Sequence, residues 1–186
     1  MIIYIHGFGS CGEGSKARLF RGYFKDISKA FIAPSLSYVP ELAIGTLEEL
    51  IASYDGEVQL IGSSLGGYYT MYLAHKYGLR AVLINPSIFP YKTLGKPLDN
   101  APNFYDLSGY EWKISHINML KKYEVERPNQ ENTLLLLQKG DTVLDYAEAL
   151  AKLPNSKVIL EENGSHGFDG IERYFETIND YFEEKI

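Results

Sequence analysis

Short apolar runs alternating with stretches of helical spacing constrain this chain more than any other feature of it. Ile2 to Ile5 is a β-branched run that stops at His6-Gly7, as a buried strand ending in a tight loop does. Comparable runs follow at Ala30 to Ala33, Glu57 to Ile61, Arg80 to Ile84, Thr133 to Leu137 and Lys157 to Leu160, with turn residues such as Pro34, Gly62, Pro86 or Gly140 beyond them. Between most of them, helical spacing runs from about Gly14 to Ser28, Glu41 to Ser53, Leu65 to Tyr77, Asp145 to Leu153 and Asp169 to Glu184. Parallel strands need crossovers, and helices supply them. The pattern therefore predicts a three-layer, doubly wound α/β fold whose mainly parallel sheet is covered on both faces. At 186 residues, 45% of them hydrophobic, the chain is expected to form one domain, 1–186, around one continuous core.

One stretch breaks the alternation. From about Ile88 to Pro128 the chain is rich in Pro, Asn and aromatics, shows no clear strand, and is too long for an ordinary connection. It reads as a cap inserted over the active face, with a helix or two near Trp112 to Tyr123; the plainer alternative is a surface excursion packed on the sheet edge.

Charge narrows the partner. A net charge of −6 and a pI near 5.3 argue against nucleic acid and anionic membrane, which want clustered Lys and Arg, and leave a small molecule. The single cysteine, Cys11, cannot form an internal disulfide, and no Cys/His spacing suits a metal, so neither metal nor cofactor is expected. These features, with an N-terminal apolar run too short for a signal or a span, predict a reduced, cytoplasmic protein.

The run Glu57 to Ile61 leads into Gly62-Ser63-Ser64-Leu65-Gly66-Gly67 and then a helix. Strand, sharp turn and helix are the context in which G-x-S-x-G becomes a nucleophile elbow, with the glycines leaving room for a strained serine. A three-position match alone arises by chance in roughly one chain in twenty of this length, so the context carries the reading. The turn also sets Ser64 at the positive end of a helix, where N–H groups stabilise an oxyanion. Neither G-x-G-x-x-G nor a P-loop lysine is present, so a phosphate loop is a poor competitor.

A serine hydroxyl is a weak nucleophile and needs a base, and the base needs an orienting acid. Among four histidines, His75 lies late in the helix after the elbow, His116 in the inserted segment reads as a solvated side chain, and His6 as a structural hydrogen-bonding residue. His166, in Gly164-Ser165-His166-Gly167-Phe168 between the last strand and the last helix, is the candidate base. Asp141 leaves the end of the Thr133 to Leu137 strand on the face of Ser64 and is the candidate acid. Its rival, Asp145, already has a role as helix N-cap with Glu148 three residues on, and Asp169 with Glu172 looks like another helix start. Backbone N–H groups of Phe8, after the first strand, and Leu65 are the expected oxyanion donors.

Five patches carry a family resemblance: Tyr4-Ile5-His6-Gly7-Phe8, Ile61 to Tyr69, Asn85-Pro86, Gly140 to Tyr146, and His166 with Phe168. In matching order along nearly the whole chain, they resemble the small bacterial α/β-hydrolase-fold esterases of the YqiA type. The resemblance implies a serine esterase acting on short acyl esters, with Ser64, Asp141 and His166 inherited by position. Unlike the larger members of this fold, the chain opens on the strand carrying His6-Gly7, so about six strands are expected. A thioesterase or amide-cleaving enzyme with the same triad, and a non-catalytic binding protein on the same scaffold, are the alternatives.

Overall fold

The computed structural model describes residues 1–184. Six strands, β1 (Ile2–Ile5), β2 (Phe31–Ile32), β3 (Gln59–Ser63), β4 (Arg80–Ile84), β7 (Thr133–Gln138) and β8 (Lys157–Glu161), form one sheet in the order β2-β1-β3-β4-β7-β8, every pair parallel. Helices α1 (Ser15–Asp26), α2 (Pro40–Ala52), α3 (Leu65–Tyr77) and α6 (Tyr146–Lys152) supply the crossovers, and α7 (Phe175–Glu183) closes the chain. The 88–128 region instead holds α4 (Pro90–Thr93), an antiparallel hairpin of β5 (Leu98–Pro102) and β6 (Gly109–Trp112), and α5 (Ile114–Lys121). That hairpin departs from the strandless segment the sequence predicts.

Alternate residues of each central strand face opposite layers, so both faces are apolar. Ile3, Leu60, Leu83 and Leu135 pack under α2, α3 and α6, whereas Ile2, Ile61, Val82 and Leu134 pack under α1 and α7. The division follows from crossover handedness. The step from β1 to β2 runs one way along the sheet, and every later step runs the other, so right-handed crossovers place α1 on one face and α2, α3 and α6 on the opposite one. The reversal falls between β1 and β3. There the loops at their carboxyl ends diverge and leave a crevice, which is where open α/β sheets bind ligands.

Helix α7 starts later than Asp169, because Gly170 takes a left-handed φ of 70° and a 3-10 turn, Ile171–Tyr174, precedes it. Asp169 does not cap it; its Oδ1 accepts the Ser165 hydroxyl at 2.7 Å. The inserted segment lies on the α2/α3 layer, where Ala101, Trp112, Ile117 and Leu120 join the core and the Tyr68 hydroxyl donates to the Leu120 carbonyl at 2.7 Å. Its hairpin also reaches the site, through the Phe104 N–H donated to the Gly9 carbonyl at 2.7 Å.

Candidate active site

Ser64 sits between the end of β3 and the first residue of α3 with φ 56° and ψ −121°, a conformation few L-residues adopt. Surrounding bonds hold it there. Its N–H donates to the Ile84 carbonyl at 3.1 Å, and its own carbonyl accepts from Ser87 N–H at 3.0 Å and Gly67 N–H at 2.9 Å. Only a glycine at 66 lets α3 start this close to β1: a Cβ there would lie 2.0 Å from the Ile5 carbonyl oxygen.

The loops after β7 and β8 bring two more groups to this turn. The Ser64 hydroxyl lies 3.0 Å from His166 Nε2, and His166 Nδ1 lies 2.7 Å from Asp141 Oδ2. A carboxylate can only accept, so Nδ1 carries the proton and Nε2 turns its lone pair toward the serine. Asp141 Oδ1 accepts from Val143 N–H at 2.8 Å and Leu144 N–H at 2.9 Å, so this carboxylate is locked by its own turn, with a side chain 2% exposed against 30% for His166. Asp145 stands apart from this chain of bonds and caps α6 by accepting Ala147 N–H at 2.9 Å.

The expected oxyanion donors flank the serine. Among the described residues neither the Phe8 nor the Leu65 N–H has a protein acceptor, and both residues line a cavity of about 820 Å³ shared with Ser64 and His166. Leu94, Phe104, Leu144, Phe168 and Ile171 give that cavity an apolar wall. Lys16 enters from α1 and donates to the Gly167 carbonyl; burial lowers its pKa, opposed by the nearby Asp169 carboxylate.

Other histidines divide differently. His6 is buried, accepts Leu36 N–H at Nε2 (3.0 Å) and therefore donates from Nδ1 to the Gly7 carbonyl (2.9 Å), which braces the loop leading to Phe8. Burial pushes its pKa below the ordinary 6.5. His75 is exposed. His116, expected to be solvated, is buried between the rings of Trp112 (5.3 Å) and Tyr38 (5.7 Å), because the inserted hairpin folds back over α5. Tyr68 and Tyr69, beside the elbow, do not line the large cavity; both point into the core, and Tyr69 borders a separate pocket of about 90 Å³. Sequence reasoning missed the Phe8 side chain, which packs edge-on against Trp112 at 5.0 Å and Tyr110 at 5.7 Å. A large aromatic beside a loop glycine, followed by an aromatic-rich insertion, was the available signal.

Comparison with known proteins finds a match to the model of the uncharacterised protein family UPF0227 over residues 1–183. A UPF0227 protein of Vibrio campbellii is 25% identical, covering 96% of this chain and 97% of its own length. Among solved structures, Est1E from Butyrivibrio proteoclasticus with ferulic acid bound superposes with a TM-score of 0.79 at 15% identity, covering 98% of this chain and 87% of that one. Alpha/beta hydrolase domain-containing protein 10 from mouse does so at 0.76 and 18% identity, covering 98% and 89%. The fold is that of the α/β-hydrolases.

Proposed function

The chain belongs to the UPF0227 family, and we propose that it is a serine hydrolase of carboxylic esters with Ser64, His166 and Asp141 as its triad. The observation that carries this reading is the unbroken line of contacts from Asp141 through His166 to Ser64, 2.7 and 3.0 Å, opening on a cavity beside two unpaired backbone N–H groups. In this reading Ser64 Oγ attacks the ester carbonyl while His166 Nε2 takes its proton. The N–H groups of Phe8 and Leu65 receive the oxyanion, each donor contributing about 3 kcal/mol to the transition state. His166 then protonates the departing alcohol and activates water to release the acid from Ser64. Asp141 holds the imidazole tautomer throughout.

Short acyl esters fit easily, since the cavity of about 820 Å³ exceeds what a short acyl chain fills. Its apolar wall suits an extended acyl or aryl group, and the inserted segment 88–128 acts as the cap through Leu94 and Phe104. The Butyrivibrio protein's bound ferulic acid makes feruloyl esters a sensible arm of the test. A fluorophosphonate probe should label Ser64, as peptide mapping reads it, and Ser64→Ala should abolish both labelling and turnover. Parallel p-nitrophenyl ester chain-length, feruloyl ester, thioester and anilide substrates rank the bond cleaved. An unlabelled Ser64 in folded, inert protein would sink the reading.

A further inference from the structure

The loop carrying His166, between β8 and the 3-10 turn, is held by two side-chain amides. Asn85, 3% exposed just past β4, donates from Nδ2 to the carbonyls of Ser165 (2.9 Å) and His166 (3.3 Å). Its Oδ1 accepts the Gln138 N–H at 2.9 Å. Gln138, 1% exposed at the end of β7, accepts at Oε1 from the N–H groups of Ser165 (3.0 Å) and Asp169 (2.8 Å). Its Nε2 donates to the Asp169 carbonyl at 2.9 Å and to the Glu161 carboxylate. Between them the amides take up backbone groups on both sides of the imidazole. Neither amide can be flipped, because each oxygen faces donors and each nitrogen faces acceptors.

The grip extends outward and toward the acid. Glu161 fixes the Gln138 amide from β8 and is itself held by Arg173 at 2.6 Å and the Tyr174 hydroxyl at 2.8 Å. Its carboxyl lies below the usual range, foremost because of the hydrogen bond from Gln138. The Gln138 carbonyl accepts Asp141 N–H at 3.1 Å, so one residue anchors both the loop of the base and the turn of the acid. Position 164 is shaped to this amide: Gly164 has φ 98°, and a Cβ there would lie 2.0 Å from Gln138 Oε1.

We propose that Gln138 and Asn85 are positioning residues of the hydrolytic site, setting the angle at which His166 meets Ser64 without touching substrate. The proposal rests on the serine-hydrolase reading. Its alternative is that the two amides only stabilise the fold, and the variants separate the two. Gln138→Glu keeps the side-chain shape and the two bonds accepted at Oε1, but a carboxyl beside Glu161 donates at most the one proton the pair shares where the amide donates two, so either the Asp169 carbonyl or the Glu161 carboxylate is left facing an acceptor. Because a displacement near 1 Å at the base is enough, kcat should fall roughly 30- to 100-fold with KM within about twofold.

Adding Glu161→Gln returns a donor to the pair and should recover about tenfold of that loss. Gln138→Met, similar in volume and unable to make the bonds, should lose kcat like Gln138→Glu, with no recovery from Glu161→Gln. It is read alone if Gln138→Glu fails to fold in thermal melts. The proposal is overturned if the folded single variants keep kcat within about threefold of wild type, or if the double variant recovers nothing. Wild-type protein labelled at Ser64 alongside such results leaves the hydrolase reading standing; wild-type protein neither labelled nor active takes both down.

Discussion

Asp141 and Asp145 leave the same turn four positions apart and meet different needs. Asp141 gives one oxygen to two backbone N–H groups and the other to His166, whereas Asp145 gives its oxygen to the first turn of α6. Asp141→Asn should therefore cut kcat about 10³-fold or more, since an amide in that place permits the wrong imidazole tautomer. Asp145→Ala should cost about 1 kcal/mol of stability, read from urea midpoints, and leave kcat near wild type. Reversal of the two outcomes would reassign the acid. This much could be argued from sequence, because a capping signature is local and leaves Asp141 as the unassigned carboxylate.

At the scale of elements, the inserted hairpin β5–β6 does more than lie over the site. Trp112 is 1% exposed, donates from Nε1 to the Leu94 carbonyl at 3.0 Å, and with Tyr110 clasps the Phe8 ring whose backbone is a proposed oxyanion donor. Trp112→Leu should lower stability by about 2–4 kcal/mol through the cavity it leaves, and should lower kcat as well, because Phe8 loses its support. Unchanged kcat at reduced stability would confine the hairpin to a packing role. The hairpin was hidden in the sequence. Leu98 to Pro102 carries Asp, Asn and Pro in place of a β-branched alternation, and its pairing with β6 shifts register between Leu98 and Ala101, so neither propensity nor period marks it. The central strands, apolar on both faces, were plain for the opposite reason.

For the molecule as a whole, two buried histidines couple stability to pH. Burial holds His6 and His116 below their ordinary 6.5, so between that value and the lower folded one the unfolded chain binds more protons and stability falls as pH falls. Above about 6.5 both are neutral in either state and this slope disappears. Glu161 and Glu183 are held below 4.5 and act in a lower window, where their contribution is lost on further acidification. Urea midpoints at about pH 7.5 and 5.5 should thus differ, and His116→Phe should reduce the difference although it forfeits the Lys113 N–H bond at 3.2 Å. An unchanged difference would mean that His116 does not titrate in this window. Sequence alone determined the layered parallel sheet, the elbow at Ser64 and the strand ends that deliver Asp141 and His166, because period, turn chemistry and chain order are local or one-dimensional properties. Only the tertiary structure decided that His116 is buried, that Phe8 is braced by the insertion, and that Asn85 and Gln138 close on the loop of His166. Each depends on segments far apart in the chain brought together, 53 residues apart for Asn85 and Gln138, and a contact across such a separation leaves no pattern in either segment by itself.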